Sequence, residues 1–305
     1  MKQFQTQAGA PLNLSLQEAA LPQSYPNQAL IQVHATSLNR GEVRMSAAGR
    51  FADGFVPGWD LSGIVTQAAA DGTGPKVGTR VVAISRSGAW AEYAAIPTEQ
   101  IAPIPDNVTF AQAATLPVAG LTALHALKKR GLLLGKRVLV TGATGGVGDF
   151  ALQLARLSGA HTVAHLRKDQ EISADAKVIG SLKGTGPYDL IVEGVGGTLL
   201  GEAMAELGED GVAVNFANST SDLSSFDASD FYWVGRTRLE GIVLFFELKR
   251  TEGGDVGLKT LADLVGAGKL DPHISVTEPF VRLPEIAQDL LDRKYPGKAV
   301  LTLSH

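Results

Sequence analysis

Residues 138–155 read VLVTGATGGVGDFALQLA, and the reading of this stretch decides the fold. Branched apolar residues run into a cluster of small ones, and an apolar helical pattern follows. The pattern predicts a strand over 138–140, a turn Gly142-Ala143-Thr144-Gly145-Gly146-Val147-Gly148, and a helix over 147–157. A helix N-terminus offers unpaired N–H groups and the positive end of a dipole. A phosphate reaches them only where no Cβ stands in the way, and Gly145 and Gly146 leave that way open. Gly148 lets the helix pack against the strand. Such a turn also serves for tight packing alone. Its place after a strand, before a helix and inside an alternating pattern argues for dinucleotide binding.

Downstream of the turn, HTVAHL, YDLIVEGV, GVAVNFAN and LEGIVLFFEL have strand length, and helical segments such as LLGEAMAELG lie between the early ones. Short buried strands alternating with helices predict a parallel sheet with helices on both faces. Upstream, TFAQAATLPVAGLTALHALKKRG reads as one helical stretch ending at Gly131. Its basic last turn suits the negative helix end. The first hundred residues are punctuated by Gly and Pro, with short β-rich runs ALIQVHATSL, SGIVTQ, TRVVAIS and WAEYAAIP. They predict a compact β-rich domain. VGLKTLADLVGAGKL is a further helix, and the tail after it reads strand, helix, strand.

At 305 residues the chain is expected to form two domains. Charged residues make up 19%, the net charge is −4, and no Lys/Arg-rich run exists, so neither nucleic acid nor an anionic membrane is an expected partner. MKQFQTQAGA has no apolar core, so no secretory signal is expected, and a cytoplasmic setting is the expectation. With no cysteine, disulfides, thiolate catalysis and Cys-ligated zinc are excluded. TGATGGVG also fits the turn of short-chain dehydrogenases, but no tyrosine has a lysine four places on: Tyr232 has Arg236 and Tyr295 has Ala299.

The order of β-rich domain, glycine turn and strand–helix–strand tail resembles the medium-chain dehydrogenase/reductase superfamily, most of all its zinc-independent quinone oxidoreductases. The markers are SLNRGEVRM, VPGWDLSGIV, GAWAEYAAIP, AATLPVAGLTALHAL, TGATGGVG, YDLIVEGVGG and GKAVLTL, in the family's order. The resemblance implies an α/β architecture with a GroES-like substrate domain (1–112 and 270–305) and a doubly wound Rossmann domain binding NADP (113–269). It also implies an active site in the cleft between them and a homodimer formed through the edge strand LEGIVLFFEL.

Zinc-dependent members hold their metal with a Cys, a Gly-His-Glu motif and a later Cys or Asp. Here those positions read Asn39 and Gly58-Trp59-Asp60, and of the six histidines only His161 and His165 are close in sequence. No metal is expected, and Asp60 is read as a structural carboxylate. NAD-specific sites carry an acid about twenty residues past the turn. This chain instead has Arg167 and Lys168 just after HTVAHL, which points to NADPH. After RKDQE the family has a full helix; ISADAKVIGSLKGTGPYD is too short for it, so a helix and part of a strand are expected to be trimmed.

By resemblance, Gly146 and Val147 face the pyrophosphate. Phe216, Ala217, Asn218 and Ser219 approach the adenosine or nicotinamide ribose, Leu244, Phe245 and Phe246 reach the nicotinamide, and Arg293 reaches phosphate. Asn39 and Thr122 match the family's catalytic positions, and Arg44, Trp59, Tyr93, His125 and Tyr232 are pocket candidates. Hydride transfer asks the protein for geometry and a carbonyl-polarising donor. Without a metal, the easier acceptors are quinones and α,β-unsaturated carbonyls, whose product anion is delocalised. The expected activity is therefore NADPH-dependent reduction of a quinone or enone, and the alternative is a non-catalytic NADPH-binding protein of the same fold.

Overall fold

The computed structural model describes residues 1–251 and 253–304. In chain order the elements begin β1 (Lys2–Thr6), β2 (Leu14–Glu18), β3 (Gln28–Ser37), α1 (Arg40–Ala47), β4 (Asp60–Gln67), β5 (Arg80–Ile84), β6 (Tyr93–Pro97), β7 (Ile101–Pro103), α2 (Phe110–Ala114) and α3 (Leu121–Lys128). They continue β8 (Arg137–Val140), α4 (Gly146–Leu157), β9 (His161–Leu166), β10 (Ala176–Ile179), β11 (Tyr188–Glu193), α5 (Gly197–Ala205), β12 (Leu207–Asn215), α6 (Ala228–Tyr232), β13 (Arg238–Gly241) and α7 (Leu244–Arg250). The last are α8 (Asp255–Gly266), β14 (Ile274–Pro279), α9 (Leu283–Leu291) and β15 (Lys298–Thr302).

Two compact units form, one from 1–121 with 248–305 and one from 122–247. In the first, a seven-stranded sheet runs β14-β15-β3-β4-β5-β7, with β6 also paired to β3. Only β14 and β15 pair in parallel there. Ile31, Val33, Leu61, Val81, Trp90 and Ile96 lie in its core. The alternation along β6 buries one set of side chains, as a half-covered strand requires, while β3 is buried along most of its length between its neighbours.

The second unit carries a six-stranded, fully parallel sheet in the order β10-β9-β8-β11-β12-β13. Its central strands are near-continuous apolar runs because parallel strands are covered on both faces. α4 packs on β8 and β9, and α5 on β12. Leu139, Ile191, Met204 and Ala213 share one core with the buried Tyr188 ring.

Three features differ from the sequence expectation. The apolar run LEGIVLFFEL is not one strand. β13 ends at Gly241 and α7 starts at Leu244, because short apolar runs satisfy either period. The stretch 110–128 is two helices joined by a wide turn at Leu116–Gly120, where Pro117 has no N–H to give. The Asp60 carboxylate takes the freed Val118 N–H at 2.9 Å. The units cross later in the chain than residue 113, and α8 belongs with the first unit, where it packs on β7 and β5. The short segment after RKDQE behaves as expected: β9 and β10 are parallel neighbours joined by residues 167–175 without a helix. Asp175 closes that short crossing by accepting bonds from Thr162 N at 2.7 Å and Thr162 Oγ1 at 2.9 Å.

Candidate functional site

In the second unit the glycine turn lies at the carboxyl end of β8. Gly142 has φ +59°, a left-handed conformation that a side chain would strain. Gly145 N–H donates to Gly142 O at 2.9 Å, which folds the turn back before α4 begins. A Cβ on Gly148 would stand 2.3 Å from Gly142 O, so the close helix–strand approach demands glycine there. Gly145 is exposed and Gly146 and Val147 are half-buried. The N–H groups of the first turn of α4 therefore remain open to a phosphate.

Arg167 and Lys168 follow β9 directly, are exposed, and enter no ion pair among the described residues. The acids after them are drawn to Lys177 instead, Asp169 at 3.4 Å and Glu171 at 3.7 Å. No acid ends β9, whose last residue is Leu166. Phe216 and Ala217 are half-buried beyond β12. Asn218 is exposed and organises a polar turn: its Nδ2 donates to Asp222 O at 3.0 Å and its Oδ1 accepts from Ser221 N at 3.0 Å. Ser219 Oγ donates to Val195 O at 3.4 Å. Leu244 is buried, Phe245 half-buried and Phe246 exposed, all in the first turn of α7 rather than on a strand. Thr122 and His125 sit three apart on α3 and are nearly buried. Burial, then the neighbouring Lys128 charge, hold the His125 imidazole below its usual pKa. The Thr122 hydroxyl has no hydrogen-bond partner among the described residues. Tyr232 is exposed against Trp233, with ring centroids 5.4 Å apart.

One residue of this unit escaped the sequence reading. Glu193 ends β11 with a fully buried carboxylate. Oε1 accepts from Thr141 Oγ1 at 3.1 Å, Val195 N at 2.7 Å and Gly196 N at 2.9 Å, and Oε2 accepts from Asn215 Nδ2 at 2.6 Å. The signal, an acid at the end of an apolar strand before GVGG, was visible but has no spacing rule of its own.

In the first unit Asn39 stands at the N-terminus of α1, within a buried polar cluster. Its backbone N–H donates to Glu42 Oε1 at 2.9 Å. Its Nδ2 donates to Glu42 Oε1 at 3.0 Å and to Asp60 Oδ2 at 2.8 Å. Asp60 also accepts from Ser37 Oγ at 2.6 Å. The Lys298 ammonium meets three acceptors: Leu38 O at 2.9 Å, Asn39 Oδ1 at 2.6 Å and Asp60 Oδ2 at 3.2 Å. Burial pushes the Glu42 carboxyl up to about 8, with the Asp60 charge adding and Lys298 opposing. Glu42 Oε2 is buried and unpartnered. Both Asn39 amide hydrogens thus go to carboxylates.

This donor set does not suit zinc. Trp59 brings no ligand atom, and the Asp60 oxygens are held by an ammonium, a hydroxyl and two N–H groups. No group of three His, Cys, Asp or Glu able to hold a metal occurs among the described residues. His161 is exposed, while His165 is buried with Nε2 2.7 Å from Gly180 O; His305 lies outside the described residues. Of the other candidates, Arg44 and Trp59 are half-buried, Tyr93 accepts from Gln32 Nε2 at 3.0 Å, and Arg293 is exposed with φ +59° just past α9. A surface cavity of about 340 Å³ between β7 and α8 contains none of the expected residues.

Residues 25–106 match the alcohol dehydrogenase GroES-like domain, and residues 158–301 match the zinc-binding dehydrogenase domain. The mouse protein NAD(P)H oxidoreductase RTN4IP1, mitochondrial (Mus musculus), is 30% identical over 328 residues, covering 92% of this chain and 82% of the relative. Among solved structures, the quinone oxidoreductase from Coxiella burnetii superposes with a TM-score of 0.83 at 26% identity, covering 100% of this chain and 99% of the other. A mycobacterial protein, Rv1454c, complexed with NADPH, gives 0.87 at 25% identity, covering 99% of this chain and 100% of that one.

Proposed function

The chain belongs to the medium-chain dehydrogenase/reductase superfamily, in its quinone oxidoreductase branch, and from that premise we propose that it reduces a quinone or α,β-unsaturated carbonyl with NADPH and without a metal. The observation that carries this reading is the open glycine turn at the head of α4 combined with two cations just past β9 that enter no ion pair among the described residues. Bound NADPH supplies the hydride. The first-turn N–H groups of α4 hold its pyrophosphate. Arg167 would hold the 2′-phosphate through its guanidinium, and Lys168, also exposed, would add a second positive charge.

The Lys298–Asp60 pair sets the substrate class. It fills the polar cluster around Asn39 with an ammonium, so carbonyl polarisation falls to hydrogen bonds. Substrates are then those whose reduced anion is already delocalised. Thr122 offers a hydroxyl that no other described residue uses. Asn39 donates to a substrate only by releasing one of its two carboxyl partners, and Glu42, neutral below about pH 8, is the weaker hold. The proton that completes the reduction comes from solvent.

A homodimer through the β13 edge is part of the reading, since Trp233, Leu239, Val243 and Phe246 leave apolar surface there. The test of function is NADPH oxidation across a panel of quinones and enones, run beside a coenzyme fluorescence titration. Turnover with one of them is the expected result. Binding without oxidation of any panel member would assign the chain as a non-catalytic NADPH-binding protein.

A further inference from the structure

The sheet of the second unit reverses direction between β8 and β11: the chain leaves β8 for β9 and β10 on one side, and β11 leads to β12 and β13 on the other. In doubly wound sheets the ligand lies outside the strand carboxyl ends at this switch point. Glu193 ends β11 there, and its bond from Thr141 Oγ1 crosses the switch to the residue that follows β8. Its bond from Asn215 Nδ2 reaches the end of β12. Its partners are all neutral donors.

A buried carboxylate without a cation is tolerated only when hydrogen bonds replace its lost hydration. Four donors do so here, two from the ends of β8 and β12 and two from the loop that follows Glu193. Thr141 Oγ1 also accepts from Gly194 N at 3.1 Å, so three successive loop N–H groups, 194 to 196, are turned inward. The next loop is fastened to this one. Phe216 N donates to Glu193 O at 3.0 Å and Thr220 N to Val195 O at 3.0 Å. A Cβ on Gly194 would meet the Phe216 ring at 2.3 Å, and one on Gly196 would meet the Asn218 amide at 2.3 Å. The rim carrying Phe216 to Ser219 is therefore tied to the loop that this carboxylate orders, and losing the carboxylate would release that loop's inward-turned N–H groups.

We propose that Glu193 is the positioning residue of the coenzyme crevice, its carboxylate fixing loops 194–197 and 216–220 in the shape that receives the dinucleotide. The inference rests on the coenzyme reading above. Glu193→Gln keeps the size but sets an NH₂ against the Asn215 NH₂, and Asn215→Asp sets two carboxylates together. Thr141→Val is a milder change that removes one donor. Each variant is titrated with NADPH at a temperature where its thermal melt shows it folded, and amide exchange of the ligand-free protein is followed in parallel.

The expected result is an NADPH Kd weakened about tenfold or more in Glu193→Gln and Asn215→Asp, less in Thr141→Val, with faster exchange at 194–196. The variant carrying both Glu193→Gln and Asn215→Asp recovers part of the affinity, because donor and acceptor have changed places. A lower melting temperature with unchanged Kd and unchanged exchange would make Glu193 a structural residue only, leaving the coenzyme reading intact. A wild-type protein that binds no NADPH would overturn the coenzyme reading and this inference with it.

Discussion

Replacing Glu42 by Gln tests the charge state of the polar cluster in the first unit. The Glu42 carboxyl is raised from its ordinary 4.5 to about 8, chiefly by burial. A folded-state pKa above the unfolded one means that the folded protein binds the proton more tightly. Glu42 then contributes most stability below about pH 4.5, and that contribution is lost as pH rises toward 8. At about 1.4 kcal/mol for each tenfold change, wild type loses about 4 kcal/mol between about pH 5 and about pH 9 through this group alone. Gln has the shape of the neutral acid. Its Oε1 keeps the two bonds from Asn39, and its NH₂ takes the place of Oε2, which has no partner to lose. The measurement is urea denaturation of both proteins at the two pH values, followed by tryptophan fluorescence in a background where Trp233 of the second unit is replaced by Phe, which leaves Trp59 and the buried Trp90 of the first unit as reporters. The stability difference in favour of Glu42→Gln should grow by about 4 kcal/mol from the acid to the alkaline condition. Parallel pH dependences would show that Glu42 is ionised in the fold and that the cluster carries two negative charges against one ammonium.

Arg167→Ala should weaken NADPH roughly ten- to a hundredfold while leaving NADH nearly unchanged, and the NADPH preference should shrink with added salt. Equal weakening of both coenzymes in a titration would remove Arg167 from the 2′-phosphate site. Gly148→Ala, whose Cβ would stand 2.3 Å from Gly142 O, should abolish coenzyme binding by prying α4 off the turn; retained affinity by calorimetry would mean that the turn adapts. Purified protein should hold far less than stoichiometric zinc by elemental analysis and keep its activity in a chelator, and loss of activity with metal removed would sink the hydrogen-bond mechanism. Sedimentation at micromolar concentration should give a dimer, and a monomer would mean that the apolar surface near β13 has another use.

The glycine turn, the parallel strands around it and the strand–helix–strand tail were legible because each rests on a local pattern. VLVTGATGGVG needs no distant partner to be read as strand, turn and helix. LEGIVLFFEL was misread as one strand because its apolar residues fit either period, and only the pairing of Arg238–Gly241 with β12 marks where the strand stops. The placement of α8 is illegible for a different reason. Its helical pattern is plain, but the pattern does not say that it will pack on β7 and β5 rather than on the nearer parallel sheet. The cluster of Asn39, Glu42, Asp60 and Lys298 was half seen. Asn39 and Asp60 stood out by position and Asp60 was read as structural, while nothing local joins them to the lysine of GKAVLTL. Glu193 was hidden for a simpler reason: a single acid after an apolar strand is common, and only its four donors distinguish it.

Lys298 follows Asp60 by 238 positions, and β15, which carries it, lies inside its sheet between β14 and β3. The second unit is one continuous segment that ends before β15 begins. On a ribosome adding about 5–20 residues per second, the lysine emerges roughly ten to fifty seconds after the aspartate it must neutralise. The parallel sheet can therefore close while the first sheet still has a gap beside β3, and for that interval Asp60 and Glu42 lack the ammonium that faces them in the finished fold. The protein made first is in this sense the last to be finished.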